Sequence, residues 1–178
     1  MSRIFLSLSI LSLLVLAASV ALGFLGDDPA SSYSAWHFLV SVAGMVFGAL
    51  VHAIVLTYFM GTGRWIEETA AAYRLDDRRR AENRRLKYRT VPLMLLAFCL
   101  LLAAGVTGAA ADPGATVNYE RFASLSAGTI HLLVSLVMLA ANAAVMAWEY
   151  RVIRRNGALI AEVVTEVRRI REGKGLPV

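Results

Sequence analysis

The stretch Trp36–Gly63, WHFLVSVAGMVFGALVHAIVLTYFMGTG, contains no Asp, Glu, Lys or Arg. A helix needs about 20 apolar residues to cross the roughly 30 Å hydrocarbon core of a bilayer, and this run is longer than that. Three further charge-free runs reach the same length: Ile4–Leu25, Thr90–Ala111 and Phe122–Trp148. In hydrocarbon every backbone polar group must pair within its own segment, so the runs read as helices. Hydrophobic residues make up 58% of the 178-residue chain and the mean hydropathy is +0.61. A soluble domain of this size sits nearer about 45–50% apolar. The expected fold is therefore an all-α membrane protein, a four-transmembrane-helix bundle forming one domain over 1–178. The spans are expected at 4–25, 36–60, 90–111 and 125–148.

Charge placement orients the bundle. Gly61–Arg89 carries nine Lys or Arg, the tail after Trp148 seven more, and Arg3 precedes the first run. The connections 26–35 and 112–121 hold only Arg121 against Asp27, Asp28, Asp112 and Glu120. The positive-inside rule puts both termini in the cytoplasm of a cell with an inner membrane. Interfacial aromatics agree: Tyr33 and Trp36 at one boundary, Tyr58, Trp65, Trp148 and Tyr150 at the other. Arg3, the first apolar run and Ser19-Val20-Ala21 have the outline of a secretory signal. The run is longer than a usual signal core and has a counterpart later in the chain, so its retention is expected.

That counterpart belongs to a duplication. Leu14–Val20 matches Leu100–Val106, and His37-Phe38-Leu39-Val40-Ser41 matches His131-Leu132-Leu133-Val134-Ser135 at an offset of 94. Two helices separate the copies, so both run the same way: two parallel two-helix repeats about an axis normal to the membrane. Helical extensions are expected on the cytoplasmic side at 64–89 and 150–172, the second and fourth helices running on into them. In the tail, Leu159, Ile160, Val163, Val164, Val167 and Ile170 form an apolar stripe at helical spacing, suited to packing on Ile66, Ala70, Tyr73 and Leu75. Pro92 is placed in the first turn of the third helix, where proline is tolerated. The basic excess, +5 overall, fits anionic headgroups rather than nucleic acid. Cys99, the only cysteine, reads as a small hydrophobe.

Ionisable groups inside a bilayer point to function, and the only candidates are His37, His52 and His131. At about 100° per residue, His37, Ser41, Gly44 and Gly48 share one stripe, with His52 at its edge. His131, Ser135, Met138, Asn142 and Met146 repeat it on the fourth helix. A haem needs two axial ligands from facing helices. His37 with His131 would supply them near the outer face, and His52 with Met146 about 22 Å deeper by helix rise. Gly44, Gly48, Gly105 and Gly108 would leave room for a flat porphyrin. In this the chain resembles membrane b-type cytochromes. That resemblance implies haem b, with His37 and His131 on its iron, and transmembrane electron transfer. It departs from their pattern of two histidines on each of two helices, since Met146 stands in the fourth position.

The plainer reading is close packing. Gly44-Met45-Val46-Phe47-Gly48 is a GxxxG motif, and Asn142, His52 and Thr57 are expected to bond between helices. At the exit of the second helix, Gly61-Thr62-Gly63-Arg64-Trp65 reads as a hinge, with Arg64 and Trp65 at headgroup level as a docking or lipid-phosphate site. With this string and the duplicated HxLVS, the chain resembles a family of small bacterial four-helix membrane proteins, which implies the fold and no activity. No HExxH, P-loop, GxSxG or CxxC pattern occurs. No carboxylate lies within the four runs, which weighs against a proton-coupled transporter or a di-metal carboxylate site. The leading expectation is a non-enzymatic accessory or scaffold subunit of an inner-membrane complex. Its partners would be lipids and a membrane protein or further copies of itself, and haem binding is the alternative.

Overall fold

The computed structural model describes residues 1–25, 32–112, 121–122 and 124–177. Four helices account for almost all of these: α1 (Ser2–Leu25), α2 (Ser32–Tyr73), α3 (Arg78–Ala111) and α4 (Ala127–Gly173). Each contains a segment long and apolar enough to cross a membrane. The acidic connection residues Asp27, Asp28 and Glu120 lie outside the described residues. Before α4 the chain forms a two-residue antiparallel pairing, β1 (Arg121–Phe122) with β2 (Leu125–Ser126). The fourth helix thus starts at Ala127, two residues later than the expected span. Ser126 caps it, its hydroxyl accepting from the Thr129 N–H at 3.2 Å, one of the donors that a helix start leaves unsatisfied.

The helices are arranged as a ring. α1 lies against α2, α2 against α3, α3 against α4 and α4 against α1, while α2 and α4 also meet across the middle. Side-chain size explains the closeness. A Cβ on Gly44 would lie 3.1 Å from Leu16, and one on Gly48 would lie 3.4 Å from Leu101 and 3.5 Å from the Ser12 hydroxyl. Two apolar layers fill the core. One gathers Leu16, Leu101, Ala104 and Met138. The other gathers Phe5, Val51, Val55, Phe59, Met94, Met146, Val152 and Ile153. Large apolar side chains on the outside, among them Phe38, Leu39, Val46, Leu95, Leu102 and Val106, remain exposed. Cys99 is exposed among them.

At the charged end α2, α3 and α4 continue past the apolar segments as a three-helix stalk. Ile66, Ala70, Leu159 and Val163 are buried in it. Part of the tail stripe is thus buried, as are two residues of the α2 extension, while Val164 stays exposed. The extension over 64–89 is not one helix. It turns at 74–77, where Arg74 takes a left-handed φ of 52° and the Leu75 N–H donates to the Ala70 carbonyl at 2.9 Å. An Asp76 carboxylate oxygen then accepts from the Arg78 N–H at 3.0 Å and restarts the chain as α3. Short polar side chains that bond nearby backbone favour such turns over helix interiors.

Because α3 begins at Arg78, Pro92 lies within the helix and not in its first turn. It offers no N–H to the Tyr88 carbonyl. Nor is the Gly61–Gly63 string a break, since α2 runs through it unbroken. Ion pairs trim the stalk. Arg155 donates to Glu82 at 2.6 Å and reaches Glu162 at 3.6 Å, while Arg79 reaches Glu162 at 3.7 Å. The Arg155 hydrogen bond holds the Glu82 carboxyl below its ordinary range. Exposed pairs of this kind contribute about 1 kcal/mol or less each.

Candidate functional site

Among the described residues, polar side chains gather between the helices in three main clusters. The deepest joins α2 to α4. His52 is 3% exposed, and Asn142 and Glu149 are fully buried. His52 Nδ1 lies 2.8 Å from Glu149 Oε1, and its Nε2 lies 3.0 Å from Asn142 Oδ1. Asn142 is oriented by its own helix, its Nδ2 donating to the Met138 carbonyl at 2.9 Å. Its Oδ1 is therefore the acceptor, and His52 Nε2 carries a hydrogen. Glu149 Oε2 is buried and has no hydrogen-bond partner among the described residues. A buried acid, an imidazole and an amide in line form a polar chain that orders protons and fixes the register of two helices.

The second cluster lies at the opposite end of the apolar segments. The His37 and His131 rings stand edge to face with centroids 6.0 Å apart, so the equivalent histidines do meet. His37 Nδ1 donates to the Ser19 carbonyl at 2.8 Å. Ser41 donates to the His37 carbonyl and lies 2.6 Å from the Ser19 hydroxyl, which must then be the donor of that pair. His131 Nδ1 lies 3.3 Å from Thr107 Oγ1 and 3.5 Å from Ser135 Oγ. Each ring rests on a glycine of the preceding helix: a Cβ on Gly23 would lie 3.1 Å from His37, and one on Gly108 would lie 2.9 Å from His131.

This geometry does not fit a haem. The glycines expected to frame a porphyrin are filled instead: Gly44 by Val15 and Leu16, Gly48 by Ser12 and Leu101, Gly105 by Met45 and Gly108 by His131 itself. At the deeper level both nitrogens of His52 are already bonded within the protein. Met146 is buried in the apolar layer. A ligand bond from His52 to iron would cost one of these hydrogen bonds and leave a buried acceptor unpaired. Among the described residues no three His, Cys, Asp or Glu side chains gather as a metal site.

The third cluster ties the stalk. Asn83 Nδ2 donates to Asn156 Oδ1 at 2.6 Å, and Asn156 Nδ2 donates to Thr62 Oγ1 at 2.9 Å. Thr62 in turn donates to the Tyr58 carbonyl, so α2, α3 and α4 share one chain of bonds. Arg64 and Trp65 lie beyond it on the outside, Arg64 paired with Glu68 at 2.8 Å and Trp65 39% exposed. Thr57 donates to the Ala53 carbonyl of its own helix and makes no bond between helices.

Glu149 is the residue that sequence reasoning missed. As the first charge after the fourth apolar run it counts with the tail. The available signal was its spacing: seven residues beyond Asn142, two turns on, it returns to the same helix face. Asn83 and Asn156 have no such signal, being polar residues in polar segments. Comparison with protein-family models, with curated proteins and with solved structures gives no match for this chain.

Proposed function

We propose that the chain is an integral membrane protein of the inner membrane, with four spanning helices, both termini in the cytoplasm and no catalytic role of its own. It serves as an accessory or scaffold subunit that presents its basic stalk to a membrane partner and to anionic headgroups. One observation carries this reading: the three histidines of the apolar segments are engaged within the chain itself, His52 with Glu149 and Asn142, His37 with the Ser19 carbonyl and His131 beside Thr107 and Ser135. Those bonds leave an apolar outside and a stalk whose free surface is basic. Arg84 and Arg85 are exposed beside Tyr88 on α3, where a polybasic face attracts anionic lipid by about 1 kcal/mol per basic residue.

The parallel-repeat reading has support of the same kind. The buried positions Gly44, Gly48, Val51, His52, Val55 and Phe59 of α2 fall, at the offset of 94, on Met138, Asn142, Val145, Met146, Glu149 and Ile153 of α4, all buried. The equivalent pairs His37 with His131 and Thr62 with Asn156 touch each other, as residues near a pseudo-twofold axis must.

Two measurements on the full chain test this. Cysteines introduced at Ser32 and Arg79 are expected to be labelled from opposite sides of intact cells, and labelling of both from one side overturns the topology. Purified in mild detergent, the chain is expected to retain a second membrane protein in fixed ratio, and to lose it in R84E/R85E. A preparation that runs only as monomer or homo-oligomer overturns the scaffold role. Soret absorption from that preparation, abolished by H131A, would replace it with haem binding.

A further inference from the structure

The pair His52–Glu149 is explained neither by scaffolding nor by a docked partner, since it is wholly internal. Along α2 and α4 it is flanked by Val51, Val55, Met146 and Val152, members of an apolar layer that also takes in Phe5 of α1 and Met94 of α3. The charged groups on the surrounding helices do not reach inward. Arg3 is the only charged side chain of α1 and is exposed; Arg89 on α3 and Arg151 on α4 are exposed too. Beyond Arg89, α3 has no charge before Asp112, and α2 has none between Trp36 and Gly63 apart from its histidines. Tyr58 and Tyr150, at the rim of the layer, are the other titratable neighbours.

Two proton arrangements satisfy the observed contacts. With Glu149 ionised, His52 is an imidazolium donating from both nitrogens. With Glu149 protonated, Oε1–H donates to Nδ1 and His52 is the neutral Nε2–H tautomer. The heavy-atom distances are common to both, and Oε2 separates them. A carboxylate would leave an anionic oxygen in an apolar layer with no donor, whereas an acid leaves only a neutral carbonyl oxygen there.

We propose that Glu149 and His52 form a proton-binding site that holds one proton in neutral form, as Glu149–COOH donating to His52 Nδ1, with His52 Nε2–H donating to Asn142 and Asn142 to the Met138 carbonyl. This rests on the membrane-spanning reading above. Arg151, two residues from Glu149, is exposed, so the site lies near the charged end of the span. Because α4 continues unbroken from Glu149 into the stalk, the site fixes α2 against α4 where the bundle becomes the stalk. In either proton arrangement the pair carries no net charge for the membrane potential to act on; the neutral form removes the separated charges as well.

The test uses the full chain in phosphatidylcholine–phosphatidylglycerol vesicles at pH 7. Infrared spectroscopy is expected to show one protonated-carboxylic-acid C=O band that disappears in E149Q. Nitrogen NMR of the histidine whose signal is lost in H52Q is expected to show one protonated and one bare ring nitrogen. E149Q is expected to melt within a few degrees of the parent, because the amide N–H supplies the same donor to Nδ1. The absence of an acid band, a doubly protonated His52 ring, or failure of E149Q to fold overturns the proposal. None of these outcomes alters the cysteine labelling pattern, which tests the membrane reading separately.

Discussion

Replacing His52 by alanine lowers the unfolding free energy by about 3 kcal/mol or more. The imidazole is the hydrogen-bond partner of Glu149 Oε1 and of Asn142 Oδ1, and both of those groups are fully buried. Alanine leaves the two oxygens in an apolar layer and opens a cavity the size of the ring. Water does not repair the loss unless the cavity admits it and gives it several polar partners. The physical claim is that the cost comes from orphaned partners and not from the value of the pair itself. The double replacement H52L/E149L should therefore recover most of the loss, since well-packed apolar residues in place of a buried polar pair are often neutral or stabilising. Denaturant unfolding of the detergent-solubilised chain, followed by circular dichroism, measures both. A double variant no more stable than H52A would show that the pair holds α2 to α4 in a way that apolar packing cannot replace.

The second large effect is expected in the stalk. Gly63→Ala destabilises by about 1–3 kcal/mol, although a helix interior ordinarily prefers alanine to glycine by about 1 kcal/mol. A Cβ on Gly63 would lie 2.8 Å from Asn83 Oδ1. Asn83 cannot swing away freely, because its Nδ2 is bonded to Asn156, which is bonded to Thr62. The added methyl must part α2 from α3 or break that chain. Gly105→Ala is the control. Its Cβ would meet Met45 Cε at 2.6 Å, the closer approach on paper, but against the free end of a flexible thioether that can rotate aside. Equal losses in the two variants, measured by the same unfolding assay, would refute the reading of Gly63 as a contact glycine.

The same comparison shows why the Gly61–Gly63 string misleads as a hinge. Glycine in a helix is commonly a sign of flexibility, yet α2 passes through both residues without interruption. Gly63 is needed because an amide from α3 sits against it. The haem expectation met a similar difficulty. Small residues at helical spacing provide room, but the sequence does not say whose side chain takes it. Leu16, Leu101 and Met45 do so here, and they come from other helices.

Four long apolar helices and a charged end were legible from the sequence alone, because those features follow from local facts: the length of a charge-free run, the pairing of backbone groups and the placement of arginine along the chain. The sequence also singled out His37 and His131, each the first polar group of a stripe, and their ring centroids stand 6.0 Å apart. The tertiary structure alone decided that Glu149 is an interior residue, that Asn142 and not Met146 meets His52, and that three helices share the Thr62–Asn156–Asn83 chain of bonds. Whether a polar side chain faces solvent or a neighbour depends on how helices far apart in sequence settle against one another. Charge and hydropathy are properties of a single residue, whereas a hydrogen bond across 97 positions of chain, as between His52 and Glu149, belongs to two helices at once.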